Sequence, residues 1–326
     1  MRYRRPAALL AVALAGALTL AGCGDGADGG KDGADGTAGG SGTRTVTDAN
    51  GEKVKVPAAP RKVVTLSEPT LDAALALGTR PIGATSGRGQ SGVSGYLAPK
   101  AGSAEIVANT AEPDLDKLAA LRPDLILLDE TVGAKRVQDK LRRIAPTVLT
   151  AKLNAPWRDA FTATADALGK KADGAKWLTS FDSRLKTVKD GLGPNAGAVT
   201  SVIRWQNGAP SVVGKGKGHV GDTLAALGLK RPQGQQGASS GHSEPVSLER
   251  LDTIDGDWLF VGALGDRAAG DKALEEATAV PNFTKLKAVG KHHVVVIDGS
   301  AWNSSGGPLA AQAVLTDVEK ALTKKS

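Results

Sequence analysis

Asp116-Lys117-Leu118-Ala119-Ala120-Leu121-Arg122-Pro123-Asp124-Leu125-Ile126-Leu127 aligns without a gap on Glu249-Arg250-Leu251-Asp252-Thr253-Ile254-Asp255-Gly256-Asp257-Trp258-Leu259-Phe260. In each copy an acidic residue, a basic residue and a leucine open a helix, and an aspartate then leads into an apolar strand at the same spacing. Short amphipathic corners of this kind also recur by chance. Two such corners in the two halves of one chain nevertheless fit two similarly built lobes.

Outward from the first corner, alternating short units continue. Lys62–Leu66 reads as a buried strand, Pro69–Leu77 as a helix ended by Gly78, and Arg80–Ala84 as another strand. Asp124–Leu128 is a strand, Ala134–Ile144 a helix and Thr147–Thr150 a strand. Strands alternating with helices mean an α/β lobe. Ahead of it, Thr45–Thr47 and Lys53–Val56 alternate apolar with polar around Asn50-Gly51, the pattern of a hairpin. From Pro156 to about Leu192 apolar residues recur at helical spacing, which predicts one long connecting helix with a break or kink where Gly169 and Gly174 weaken it. Beyond Gly193-Pro194, strands are expected at Val199–Trp205, Ser211–Val213, Trp258–Val261 and His293–Ile297, with a last helix over Pro308–Leu322.

The amino terminus supplies a different signal. Arg2, Arg4 and Arg5 precede an apolar run from Ala7 to Leu20 that stops at Leu20-Ala21-Gly22-Cys23, a bacterial lipobox pattern. The run is short for a membrane span, which takes about 20 apolar residues. Residues 1–22 are therefore expected to be a signal peptide, with Cys23, the only cysteine, carrying the lipid. Residues 23–43 are mostly Gly, Asp and Ala with little to bury, a flexible tether. The remaining chain exceeds the size of one hydrophobic core, and divides as a lobe at 44–155, the linking helix at 156–192 and a second lobe at 193–326. No later apolar stretch is long enough to span a bilayer, so the folded part is expected outside the cell. The formal charge is +7, three of it from the signal arginines, and the cations are scattered without aromatic interleaving, which argues against nucleic acid.

Taken in order, the lipobox, the Val46–Val56 hairpin, the Pro-Asp-Leu-Ile-Leu strand at 123–127, the linking helix and Trp302-Asn303-Ser304-Ser305-Gly306-Gly307-Pro308-Leu309-Ala310 resemble the iron-siderophore substrate-binding lipoproteins of ABC importers over residues 45–322. Within that family the likeness is strongest to Gram-positive binders of ferric hydroxamates such as ferrioxamine. The resemblance implies the class III periplasmic-binding-protein fold: α/β, two Rossmann-like lobes joined by one long helix, with ligand in a shallow cleft and only small closure. It implies a binding protein rather than an enzyme, monomeric, lipid-anchored on the extracytoplasmic face of the cell membrane. No cofactor is expected, iron being carried only as the siderophore chelate. It also implies that one exposed carboxylate on each lobe docks against arginines of the permease dimer, and the paired corners place Asp116 and Glu249 there.

A ferric hydroxamate offers an apolar body and oxygens that accept but do not donate, so its receptor calls for aromatic walls and fixed cationic donors. Aromatics make up 3% of this chain, which makes their positions informative. Trp302 follows the strand ending at Ile297, Arg204 and Trp205 end the first strand of lobe two, and Arg88 and Tyr96 lie in the Gly-rich loop Ser86–Leu97. All follow strand ends, where α/β folds bind ligands. Packing is the competing role for each, and alternation along Val199–Trp205 sets Arg204 and Trp205 on opposite faces unless the strand has ended.

Rival motifs are weaker. Gly237-Ala238-Ser239-Ser240-Gly241 satisfies G-x-S-x-G, but a nucleophile elbow needs a strand before it and a helix after it, whereas Pro232–Pro245 reads as a loop. Gly216-Lys217-Gly218-His219-Val220-Gly221 satisfies G-x-G-x-x-G, with a helix N-terminus as the plain reading. A zinc or manganese site needs ligands from both lobes, and His219, His242, His292 and His293 all lie in the second half. Cobalamin and haem remain alternative ligands for the same fold, with Tyr96 the one mature phenolate for haem.

Overall fold

The computed structural model describes residues 42–109, 111–130, 133–213, 217–237 and 243–323, with only the backbone of Lys135. The signal peptide, Cys23 and most of the tether therefore lie outside the described residues, as do most of the G-x-S-x-G stretch and His242. Among the described residues no helix is long and apolar enough to cross a membrane.

Strands β1 (Thr43–Thr47) and β2 (Lys53–Pro57) form the expected hairpin, with Val46 opposite Val54. There follow β3 (Val63–Thr65), α1 (Glu68–Ala76), β4 (Gly83–Thr85), α2 (Ala98–Ala101), β5 (Glu105–Ala108), α3 (Leu115–Leu121), β6 (Leu125–Leu128), α4 (Gln138–Ile144) and β7 (Thr147–Leu149). The strands make one parallel sheet ordered β5-β4-β3-β6-β7. Its central strands, Val63-Val64-Thr65 and Leu125-Ile126-Leu127-Leu128, are buried throughout. Continuous apolar runs of this kind suit parallel strands covered on both faces.

The linking segment is two helices rather than one, α5 (Trp157–Ala167) and α6 (Lys171–Gly191). The break falls at Gly169, where φ is +73° and an added β-carbon would stand 2.5 Å from the Ala58 carbonyl oxygen. Lys170 N–H reaches the Ala165 carbonyl and Gly169 N–H that of Asp166, the paired bonds of a Schellman cap. Gly174, by contrast, stays within α6, where its missing side chain lets the helix close on Ala165 of α5.

Beyond it come β8 (Thr200–Gln206), β9 (Ala209–Val213), α7 (Gly218–Ala226), β10 (Ser243–Pro245), β11 (Trp258–Gly262), α8 (Arg267–Thr278), α9 (Lys287–Gly290), β12 (Val294–Val296), α10 (Gly299–Trp302) and α11 (Pro308–Leu322). The second sheet is ordered β10-β9-β8-β11-β12. It is mixed: β8, β11 and β12 are parallel, while β9 turns back on β8 and β10 on β9. The β8–β9 turn is Asn207-Gly208, both at positive φ (55° and 77°), as a tight type I′ hairpin requires. Helix α11 returns across the molecule, and its Val314, Leu315 and Val318 share one core with Trp157 and Phe161 of α5, Phe260 of β11 and Ala73 of α1.

Candidate ligand-binding cleft

The carboxyl ends of the two sheets face one another. The loop after β4 carries Gly89 to the side chain of Leu264, just past β11, where an added β-carbon would come within 4.0 Å. Further along that loop, the Tyr96 amide donates to Ser300 Oγ at 3.1 Å. Ser300 belongs to α10, just past β12, and its hydroxyl donates in turn to Asp298.

Two guanidinium groups, one from each lobe, lie within electrostatic reach of each other here. Arg204 is 7% exposed near the end of β8. One of its nitrogens, Nη2, donates to Ser243 Oγ at 2.6 Å, while Nε and Nη1 are buried without a partner. Burial lowers the Arg204 pKa, and the charge of half-buried Arg88 lowers it further. Unfilled guanidinium donors of this kind suit oxygens that accept hydrogen bonds.

The three aromatic candidates separate from them. Strand β8 continues to Gln206, so alternation holds and Trp205 points away from Arg204. It is 1% exposed and meets Phe283 edge-on at 5.7 Å in the core of lobe two. Trp302, also 1% exposed, stacks on Phe260 at 4.8 Å and donates Nε1–H to Asp317 at 3.0 Å. Neither indole offers a face to a ligand, which corrects the expectation of an aromatic wall: each is buried in a hydrophobic core. Half-buried Tyr96 sits at the seam between the lobes and donates its hydroxyl to Asp72 at 2.8 Å.

That seam contains residues the sequence reading passed over. Asp72 is fully buried in α1 and accepts from the amides of Gly307 (3.0 Å), Leu309 (2.7 Å) and Ala310 (3.0 Å). One turn earlier, Glu68 accepts from Ser304 Oγ at 2.6 Å, and its Oε1 is buried without a partner. Burial pushes the Glu68 carboxyl up to about 8, and that of Asp72, held down by its donors, to about 6. The available signal was two acids one turn apart in the otherwise uncharged Ser-Glu-Pro-Thr-Leu-Asp-Ala-Ala-Leu-Ala-Leu-Gly, residues 67–78.

The paired corners differ in detail. Asp116 is exposed in the first turn of α3, whose N-cap is Asp114. Glu249 is exposed in a turn, and the following Leu251–Ile254 is a single 3-10 turn rather than an α-helix. Leu118 and Leu251 are nevertheless buried alike.

The other motifs take structural places. Gly218 opens α7, and buried His219 pairs Nε2 with the Ala301 carbonyl at 2.7 Å. His293 stacks flat on Trp258 at 4.1 Å, and His292 is exposed. Among the described residues no group of three or more His, Cys, Asp or Glu side chains is placed to hold a metal ion. A separate cavity of about 440 Å³ lies on the α6 and α11 surface, lined by Trp177, Phe181, Arg184 and Gln312 and by no cleft residue.

Residues 63–301 match the family model described as periplasmic binding protein. The chain is similar to the probable siderophore-binding lipoprotein YfiY of Bacillus subtilis (strain 168), 31% identical over 284 residues, covering 85% of this chain and 87% of that one. The petrobactin-binding protein YclQ of the same organism is 30% identical over 334 residues, covering 97% and 99%. Among solved structures, Staphylococcus aureus SirA complexed with staphyloferrin B superposes with a TM-score of 0.73 at 24% identity, covering 87% of this chain and 100% of that one.

Proposed function

Since the chain belongs to the periplasmic binding protein family, we propose that it is an extracytoplasmic lipoprotein that captures a ferric siderophore in the cleft and delivers it to an ABC importer. The single observation that supports the cleft is the convergence of Arg88 and Arg204 from opposite lobes, with two Arg204 nitrogens buried and unfilled. The names of the relatives YfiY and YclQ support the siderophore class. A trihydroxamate is the chelate proposed, because two arginines suit a near-neutral complex, whereas a highly anionic triscatecholate favours a denser basic pocket. Haem is less favoured, since the Tyr96 hydroxyl is already committed to Asp72.

Delivery is proposed to run through Asp116 and Glu249, solvated carboxylates that would meet arginines of a permease dimer, with Cys23 carrying the lipid that holds the protein at the membrane. Acyl chains in combination give durable anchoring where one alone is marginal.

The test is a titration of the folded protein against ferric trihydroxamates, ferric triscatecholates, haem and cobalamin. Micromolar or tighter affinity for a trihydroxamate, with much weaker binding of the catecholate, is expected. Arg204→Ala should weaken the best ligand by about 1.5–3 kcal/mol, the worth of hydrogen bonds to a charged group. The reverse ranking overturns the hydroxamate assignment, and an unchanged affinity in Arg204→Ala overturns the cleft.

A further inference from the structure

We propose that Glu68 and Asp72 form a proton-linked clasp between the lobes, in which a neutral Glu68 beside an ionised Asp72 holds the start of α11 against α1, and loss of the Glu68 proton loosens the seam. The assignment follows from donors. Asp72 receives four, three of them from Gly307, Leu309 and Ala310 at the N-terminus of α11 and the fourth from Tyr96. Amides at a helix start carry partial positive charge, so this is where a buried carboxylate is best held ionised.

Glu68 has the opposite surroundings. It is 8% exposed, its Oε2 has the Ser304 hydroxyl, and its Oε1 has no partner. Ser94 Oγ is buried in the same cluster, near enough to influence the Glu68 carboxyl. Even with the hydroxyls of Ser304 and Ser94 beside it, an ionised carboxylate with so few donors is costly to bury. Two acids in one environment, pushed apart in pKa by their partners, hold one proton between them.

The remaining groups around Glu68 do not replace that proton. Arg88, on the loop after β4, lowers the Glu68 pKa only as the smallest of its influences, the Asp72 charge raises it, and the Tyr96 hydroxyl donates to Asp72. From the α7 side, His219 supports the loop that carries Ser304, with Nε2 on the Ala301 carbonyl.

The sign of the linkage is definite. The closed seam raises Glu68 from 4.5 to about 8, so the stabilisation it contributes is full below the unfolded value, is lost progressively as pH rises from there to about 8, and falls no further above that. Above that, two carboxylates one turn apart on α1 repel within a buried seam, and separation of Ser304 and the α11 N-terminus from α1 relieves them.

The experiment needs no ligand, so it stands apart from the siderophore assignment. Amide hydrogen exchange of segment 306–311 is followed in the ligand-free protein between about pH 6 and pH 9.5, corrected for intrinsic exchange, with β6 as reference. Protection of 306–311 should fall about tenfold per pH unit between about pH 6 and pH 8 and level off above about 8, the effect of one proton, while β6 is unchanged and Glu68→Gln abolishes the fall. A flat wild-type profile, or the same fall in Glu68→Gln, overturns the clasp. Should that variant not fold, carboxyl carbon NMR of the wild type decides: a glutamate titrating near 8 is expected, and none titrating above about 5.5 overturns it.

Discussion

Arg204 and Trp205 stand side by side in β8, and the pleat sends one toward the other lobe and the other into the core against Phe283. Residue type alone ranked aromatics as ligand walls, but an indole in a chain of small side chains is also the largest available core filler. Trp302 shows the same choice, being held by Phe260 on its face and Asp317 at its Nε1–H. Its truncation is therefore a stability lesion: Trp302→Ala should cost about 3–5 kcal/mol in urea unfolding, as large-to-small core changes do. Under conditions where that variant remains folded, its ligand affinity should match the wild type. A large affinity loss with unchanged stability would return Trp302 to the binding surface.

Among the elements, α5 and α6 show how far glycine positions reach. Both Gly169 and Gly174 weaken a helix, yet only Gly169 ends one, because it alone adopts a left-handed backbone. Gly174 is kept for proximity, since its added β-carbon would come 2.7 Å from that of Ala165. In an open helix Gly→Ala gains up to about 1 kcal/mol. Here Gly174→Ala should instead destabilise by about 1–3 kcal/mol, the range for overpacking, measured as a lowered urea midpoint. An increase in stability would show that the α5–α6 contact yields freely. Helix α8 has no counterpart among the elements expected from the sequence. Its residues Arg267–Thr278 alternate small and charged side chains, and Asp266 caps it. Only the sheet behind it gives Gly270, Ala273 and Ala277 an apolar face to bury against.

For the whole molecule, the docking proposal gains a sharper control from the structure. Asp116 has an alternative role at a helix start, where a carboxylate is worth about 0.3–1 kcal/mol. Glu249 has no such α-helix beneath it. The double variant Asp116→Ala with Glu249→Ala should lose about 1 kcal/mol or less of stability and keep ligand affinity, while uptake through the importer drops. Wild-type import by that variant would end the docking assignment.

The alternation of strands and helices, the opening hairpin and the final helix over Pro308–Leu322 were legible from the sequence, because each rests on periodicity and turn chemistry within a few residues. The family likeness over most of the chain was legible for the same reason, as an order of local motifs. The break in the linking helix was narrowed to two glycines but not to Gly169, whose left-handed backbone is set by packing against Ala58. The mixed second sheet and the burial of Trp302 depend on which strands meet. The Glu68–Asp72 seam was beyond reach altogether. Its partners, Ser304 and Gly307–Ala310, lie more than 230 residues along the chain, and a carboxylate's role is decided by the donors that folding brings to it.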